Sequence, residues 1–314
     1  MPRLLLIALF LVFLSLNSYS WDDVGHKITG YIAWQRMNST AKENVIKLLR
    51  SAPEDSHLSA YFMAYGPRSN EAKAQEYFVF VPTWADVVRD RTFPVRYEKY
   101  HKSNWHYADT FWRQVDGKVE LITSTEPGGL GLVKLIEADK TMRDAAAKPA
   151  DKAIAIAWFL HIGGDLHQPL HTSARVTDRE PKGDQGGNLF LLTKEGTKRE
   201  DQVNLHWFWD SIVGRNVPFL PFENESDYIR GIAESYMVRY PFDSSKSGLL
   251  LGDYSGWQKE GFALANTDVF RSDVKRFETP SDAYRRNAYA ISEQRLAMAG
   301  YRMGETLNEI FGKQ

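Results

Sequence analysis

The segment AIAWFLHIGGDLHQPLH, residues 155–171, sets three histidines and an aspartate in an otherwise apolar run. Coiled into a helix, it puts His161 and Asp165 four residues apart, on the face shared by Ile154, Ala157 and Trp158. That face is the one expected to be buried. An imidazole and a carboxylate sunk together in a core are costly unless a cation or hydrogen bonds compensate them. Pro169 then ends the helix and lets His171 fold back toward the same place. A bound metal ion fits this pattern. A structural His–Asp hydrogen bond fits it too, and one segment alone leaves both readings open.

The spacing recurs in NLHWFWDSI, where His206 and Asp210 again stand four apart on an aromatic, apolar helix. Alone, this second pair reads more simply as a satisfied core histidine. Two shorter runs add candidates. HYAD carries His106 and Asp109, and WADVVRD carries Asp86 and Arg89 beside Trp84. By itself, Asp86 with Arg89 is most simply a surface ion pair. In SYSWDDVGH a cut before Trp21 would free an amine and a nearby carbonyl five residues ahead of His26. Five of the eight histidines (His26, His106, His161, His171 and His206) thus fall beside carboxylates or other ligand types. Nitrogen and oxygen donors without cysteine suit zinc, with manganese or iron open on the same chemistry. His57 and His101, in polar stretches, are expected to be solvated, and His167 is expected to sit behind the ligands. GDQGGN, residues 183–188, offers glycines that let backbone approach a ligand closely, though a hairpin entry needs glycine equally.

The elements that must hold these residues read as mostly helical. Thr40 to Arg50 opens on a Thr40–Glu43 capping box and carries Ala41, Val45, Leu48 and Leu49 on one face. Leu296, Ala299, Met303, Leu307 and Ile310 repeat at helical steps behind a Thr279–Pro280 start. Leu130 to Ala147, Ala150 to Leu166, Asn204 to Val213, Ser226 to Arg239 and Asp253 to Phe270 also suit helices. Leu189 to Thr193 with the segment after Gly196 suggests a short hairpin. The chain is 43% hydrophobic and 25% charged, which excludes a disordered polymer, and no composition shift marks a second domain. A net charge of -1 gives no global attraction to nucleic acid or to an anionic membrane, so an anionic substrate must be held locally. Arg3, the apolar run Leu4 to Leu16, and the small residues Ser18 and Ser20 read as a signal peptide. The run is shorter than the roughly 20 residues of a spanning helix. The expected division is residues 1–20 as signal and 21–314 as one domain, exported to a periplasm or out of the cell. With no cysteine, packing or bound metal must stabilise that domain.

Taken in order, Trp21 with His26, WAD with Arg89, HYAD, the H-x3-D-x5-H of His161, Asp165 and His171, and the H-x3-D of His206 and Asp210 resemble the S1/P1 nuclease family. These are trinuclear zinc nucleases that include mung bean nuclease. The resemblance implies an all-α fold, a single mainly helical domain shared with the zinc-dependent phospholipases C, here with a short β-hairpin. It implies three zinc ions. Asp86, His106, His161 and Asp165 would hold one; the Trp21 amine and carbonyl, His26 and Asp165 a second; His171, His206 and Asp210 the third. Asp165 would bridge two metals, which the two oxygens of a carboxylate allow. Asp86, Arg89 and Asp165 would be catalytic, with Tyr107 stacking on a base, Asp109 bonding its edge and Asn188 touching substrate. The implied substrates are single-stranded DNA or RNA, cut to 5′-phosphorylated products, and 3′-nucleotides, with no stable membrane association and no obligate protein partner. A zinc phospholipase C, or an exported non-catalytic zinc-binding protein, are the competing readings.

Overall fold

In the computed structural model, which describes residues 21–313, two long helices form the spine. The expected signal segment, residues 1–20, lies outside the described residues. The first helix, Asp23–Arg36, is buried on every side from Gly25 to Trp34. Asp22 caps it, its carboxylate accepting the Gly25 amide at 3.0 Å. Along its length runs the last helix, Asp282–Phe311, started by Ser281, whose hydroxyl accepts from the Tyr284 amide. The two approach closely because the last helix presents glycines. A Cβ on Gly300 would lie 2.5 Å from Ile32 Cβ, and one on Gly304 2.7 Å from the Ala33 carbonyl oxygen.

The helix Pro149–Asp165 is buried on every side from Ala155 to Asp165, so its ligand residues sit in a central rod and not on an amphipathic stripe. Two apolar clusters meet along these rods. One gathers Trp84, Trp158, Phe159 and Met303. The other gathers Trp21, Trp112, Trp209 and Tyr284. Among the described residues no helix is long and apolar enough to cross a membrane.

Most expected helices appear with small shifts. Thr40–Arg50 becomes Ser39–Leu49, capped by Asn38 Oδ1 to the Ala41 amide at 2.8 Å, so Thr40 is not the cap. Asn204–Val213 breaks at Ser211 into Leu205–Asp210 and Ile212–Asn216. Asp253–Phe270 becomes Tyr254–Leu264 closed by one π turn, Ala265–Val269. Leu130–Ala147, Ala150–Leu166 and Ser226–Arg239 become Gly131–Arg143, Pro149–Asp165 and Glu225–Arg239.

The strand pairing lies elsewhere than expected. Leu189 to Thr193 contributes only an isolated bridge, Leu191 with Asn204. The hairpin is Thr110–Val115 with Lys118–Leu121, and Ser173–Arg175 adds in parallel on the other side of the first strand. Its turn is Asp116–Gly117, both at positive φ, the two-residue loop whose twist matches paired strands. This small sheet joins the residues that follow Asp109 to those that follow His171.

The glycine seam generates a test with two signs. Gly300→Ala should destabilise the protein by about 1–3 kcal/mol, because the added methyl meets Ile32 in a packed core. Gly231→Ala, in the Glu225–Arg239 helix and facing open space, should stabilise it by up to about 1 kcal/mol. Chemical denaturation of both variants checks the pair, and equal effects would refute the seam.

Candidate metal centre and cleft

The central rod carries His161 and Asp165 into a space that three other segments also reach. His161 Nε2 lies 3.2 Å from Asp165 Oδ2 and His106 Nδ1 lies 3.5 Å from the same oxygen. Asp86 Oδ1 completes the group at 3.8 Å from His106 and 3.9 Å from His161. On the other side of the carboxylate, His26 Nε2 sits 3.3 Å from Asp165 Oδ1, and the His26 ring stacks on that of His161 at 4.1 Å. Asp165 therefore faces one set of donors with each oxygen. Trp21 is fully buried, its indole NH donating to the Gly164 carbonyl at 3.1 Å. Gly164 is needed here because a Cβ would stand 3.1 Å from His26 Nδ1.

A third group gathers His171, His206 and Asp210. His206 Nε2 is 3.2 Å from Asp210 Oδ2, and His171 Nε2 is 3.5 Å from Asp210 Oδ1. Backbone carbonyls orient the rings. His161 Nδ1 meets Pro82 O at 2.6 Å, His171 Nδ1 meets His106 O at 2.6 Å, and His206 Nδ1 meets Gly186 O at 2.7 Å. Each contact places the proton on Nδ1 and turns the Nε2 lone pair inward, as in metal-binding histidines. Gln168, a residue the sequence reading passed over, donates to Asp210 Oδ1 at 2.7 Å while its own carbonyl oxygen accepts from the Leu170 amide. Its only sequence signal is its place in HQP, just ahead of His171.

Burial alone would lower the His161 pKa, but Asp165 and Asp86 outweigh it and raise it, whereas other rings of the centre shift the way metal binding requires. Burial lowers the pKa of His26, and burial with Arg89 lowers that of His106 to about 3, so both rings are neutral and able to ligate. Burial alone would raise the Asp165 pKa, but His161 and His171 outweigh it and hold the carboxyl well below its usual range. Neither Asp165 oxygen meets a hydrogen bond of proper geometry, and both nitrogens of His26 and His171 Nε2 are likewise unsatisfied. Buried polar atoms are nearly always satisfied, so this clustering of exceptions is what a set of cation ligands looks like. Burial raises the Asp210 pKa well above normal, the mark of a carboxylate that calls for a positive partner.

The third group opens on a cavity of about 910 Å3 whose wall includes His206, Arg89, Tyr107, Asp109 and Asn188. Arg89 is no surface ion pair. Its side chain is half-buried, 2.8 Å from Asp86 Oδ1 and 3.0 Å from His106 Nδ1. Tyr107 is held from behind by Gly128 and Gly129: the Asp109 amide donates to Gly128 O at 2.6 Å, and a Cβ on Gly129 would strike the Tyr107 ring. In the sequence the Gly128–Gly129 pair is the only mark of that loop. Burial and the nearby Asp184 push the Asp109 carboxyl well above the usual range, giving a group that both donates and accepts. Asn188 is steadied by its own bond to Gln185 O at 2.9 Å. The structure thus brings His26, Asp86, His106, His161, Asp165, His171, His206 and Asp210 together and sets Arg89, Tyr107, Asp109 and Asn188 in the cleft wall, while Trp21 is shown beside Gly164 only through its indole. His101 lines the cleft half-buried and His57 packs edge-on to Phe93, so neither is fully solvated. His167 is buried behind the centre, accepting from Arg302 at 2.8 Å.

Comparison with known proteins gives a consistent picture. The S1/P1 Nuclease family model matches residues 21–312. Endonuclease 2 of Arabidopsis thaliana is 25% identical over 98% of this chain and 97% of its own length. Nuclease S1 of Aspergillus oryzae is 24% identical over 99% of this chain and 98% of its own, and Nuclease PA3 of a Penicillium species 20% over 94% and 99%.

Two outcomes follow. Asp165→Asn exchanges one oxygen for an amide that cannot ligate, so metal content per chain should fall on both sides of Asp165 while the His171–His206–Asp210 group stays loaded. Elemental analysis after gel filtration reads this, and an unchanged content would refute the bridging geometry. Asp184 tests the cleft wall. Burial raises its pKa from 3.8 to about 6, although the Arg175 and Gly187 amides bond it. A carboxyl with a raised folded-state pKa contributes most stability below about 4 and loses it as pH climbs through about 6. Asp184→Asn keeps an acceptor for both amides and should flatten that part of the stability–pH curve, as measured by denaturation at pH intervals.

Proposed function

This chain belongs to the S1/P1 nuclease family, and from that premise we propose that it is a zinc endonuclease specific for single strands. It cuts DNA and RNA to 5′-phosphorylated products and also removes phosphate from 3′-nucleotides. The family makes it a metal-dependent phosphodiesterase of nucleic acid. The observation that carries the finer reading is the junction of a bridged carboxylate centre with a cleft that offers Tyr107 and Asp109.

The donor set fits zinc: imidazole nitrogens and carboxylate oxygens, arranged in three groups and open to the cleft through His206. Asp86, His106, His161 and Asp165 would hold one ion; Trp21, His26 and Asp165 a second; His171, His206 and Asp210 a third. Bound there, zinc supplies positive charge at the phosphoryl group and lowers the pKa of water toward neutrality. The chain's own residues do the rest. Arg89, fixed by Asp86, brings a guanidinium to the cleft where negative charge develops on phosphoryl oxygens. Tyr107 offers a ring to a base, Asp109 bonds the base edge, and Asn188 adds an amide. A stacked, paired base cannot present both face and edge, which selects single strands.

A phospholipase C would use the same donors, but Tyr107 with Asp109 suits a base better than a lipid head group. A closed structural zinc site would have no reason to open on a cleft lined by Arg89. The Trp21 amine exists as a ligand only after cleavage ahead of it. Export with signal removal, to a periplasm or beyond the cell, therefore completes the second site, and the family match beginning at residue 21 supports this boundary.

The test compares two purified forms, one beginning at Trp21 and one carrying a single extra residue before it. The extended form should lose one zinc per chain and most of its activity on single-stranded DNA. Identical zinc content and rates would overturn the role of the amine, and equal rates on duplex and single strands would overturn the specificity.

A further inference from the structure

A second cavity, of about 360 Å3, adjoins the His171–His206–Asp210 group. Asp210 lines it, as His206 lines the main cleft, and Asn188 stands in the wall of both. The short helix Leu205–Asp210 buries Leu205, His206, Phe208, Trp209 and Asp210, yet leaves Trp207 41% exposed at this second cavity. Large aromatic rings beside a buried centre are normally drawn into the core. Trp207 is instead held at the surface. The Arg215 guanidinium lies 3.9 Å over its ring, and Arg215 Nε is itself fixed to Ser211 Oγ at 2.8 Å.

We propose that this cavity is a second nucleotide subsite, in which Trp207 stacks the base on the far side of the scissile phosphate from the base held by Tyr107. The inference rests on the nuclease reading above. Its chemistry points to a base and not to another phosphate. Glu200 and Asp201 line the cavity with negative charge, which repels phosphate, and the same carboxylates accept hydrogen bonds from the N–H edges of bases. Phosphate charge is left to Arg89 and the metal groups. A strand with one base on Tyr107 and the next on Trp207 crosses the His171–His206–Asp210 group between them. Neighbouring bases must then separate onto two aromatic surfaces, which an unpaired strand does easily and a duplex does not.

The two proposed substrates separate the subsites. A 3′-mononucleotide ends at its phosphate and has nothing to place on Trp207, whereas a dinucleoside monophosphate does. The experiment measures kcat/KM on both for the wild type, Trp207→Ala and Trp207→Phe. Trp207→Ala should lower the dinucleotide-to-mononucleotide ratio by about five- to hundredfold, the range for loss of one base–aromatic stack. Trp207→Phe should restore most of it, and the loss should lie in KM. Fluorescence anisotropy of a labelled phosphorothioate oligonucleotide should show the matching loss of affinity. An unchanged ratio, including one in which both rates fall together through damage to His206, would overturn the subsite. A wild-type protein that hydrolyses neither substrate would instead sink the nuclease reading on which the subsite depends.

Discussion

The buried carboxylate of Asp165 is the constraint around which the chain is arranged. It is fully enclosed, its oxygens face His26 on one side and His106 with His161 on the other, and it lacks proper hydrogen bonds. An ion in that position is tolerable only if positive charge meets both oxygens. The surrounding elements serve that requirement. Gly164 clears space for His26, and the glycines of the last helix let it lie close against the helix that carries His26. The Pro82 carbonyl fixes the ring of His161.

The small sheet ties the centre to the cleft. The Ala108 amide donates to the His171 carbonyl, and His171 Nδ1 donates to the His106 carbonyl, so two ligand segments are stitched together on both sides of Tyr107. The strands that follow them then pair in parallel from Thr110 and Ser173. Tyr107 and Asp109 are consequently placed by the same hydrogen bonds that place His106 and His171. A shift that loosened the proposed ligands His106 and His171 would move Tyr107 and Asp109 too, so the candidate centre and the cleft wall are coupled without a separate hinge.

Ligand residues were legible in the sequence because they are local: His161 with Asp165 and His206 with Asp210 each need only one helical turn to meet. The grouping of His26 with them was not a matter of spacing, since the contact spans the first and central helices; order along the chain and family resemblance supplied it. The first helix escaped notice because it is buried all round and shows no polar stripe. The hairpin lies around Asp116–Gly117, a strong turn signal, but its second strand, Lys118–Leu121, is exposed throughout and so has no buried face to mark it, whereas Leu189 to Thr193 is an apolar run that makes only one bridge. Gln168 and Gly129 act on other residues and not on substrate, so nothing in their type announces them.

The same accounting links folding to metal. Among the described residues the core gathers imidazoles and carboxylates into three groups that could hold metal ions, and both oxygens of Asp165, both ring nitrogens of His26 and Nε2 of His171 meet no hydrogen bond there. With the centre empty, those groups oppose the packing of the two apolar clusters that enclose them. With it filled, the binding energy of each ion becomes folding energy. A chain without cysteine has no covalent cross-link of its own to offset an empty centre. The proposed ligands therefore also tie the first and central helices together through His26, His161 and Asp165, so that stability and metal binding rest on one electrostatic arrangement.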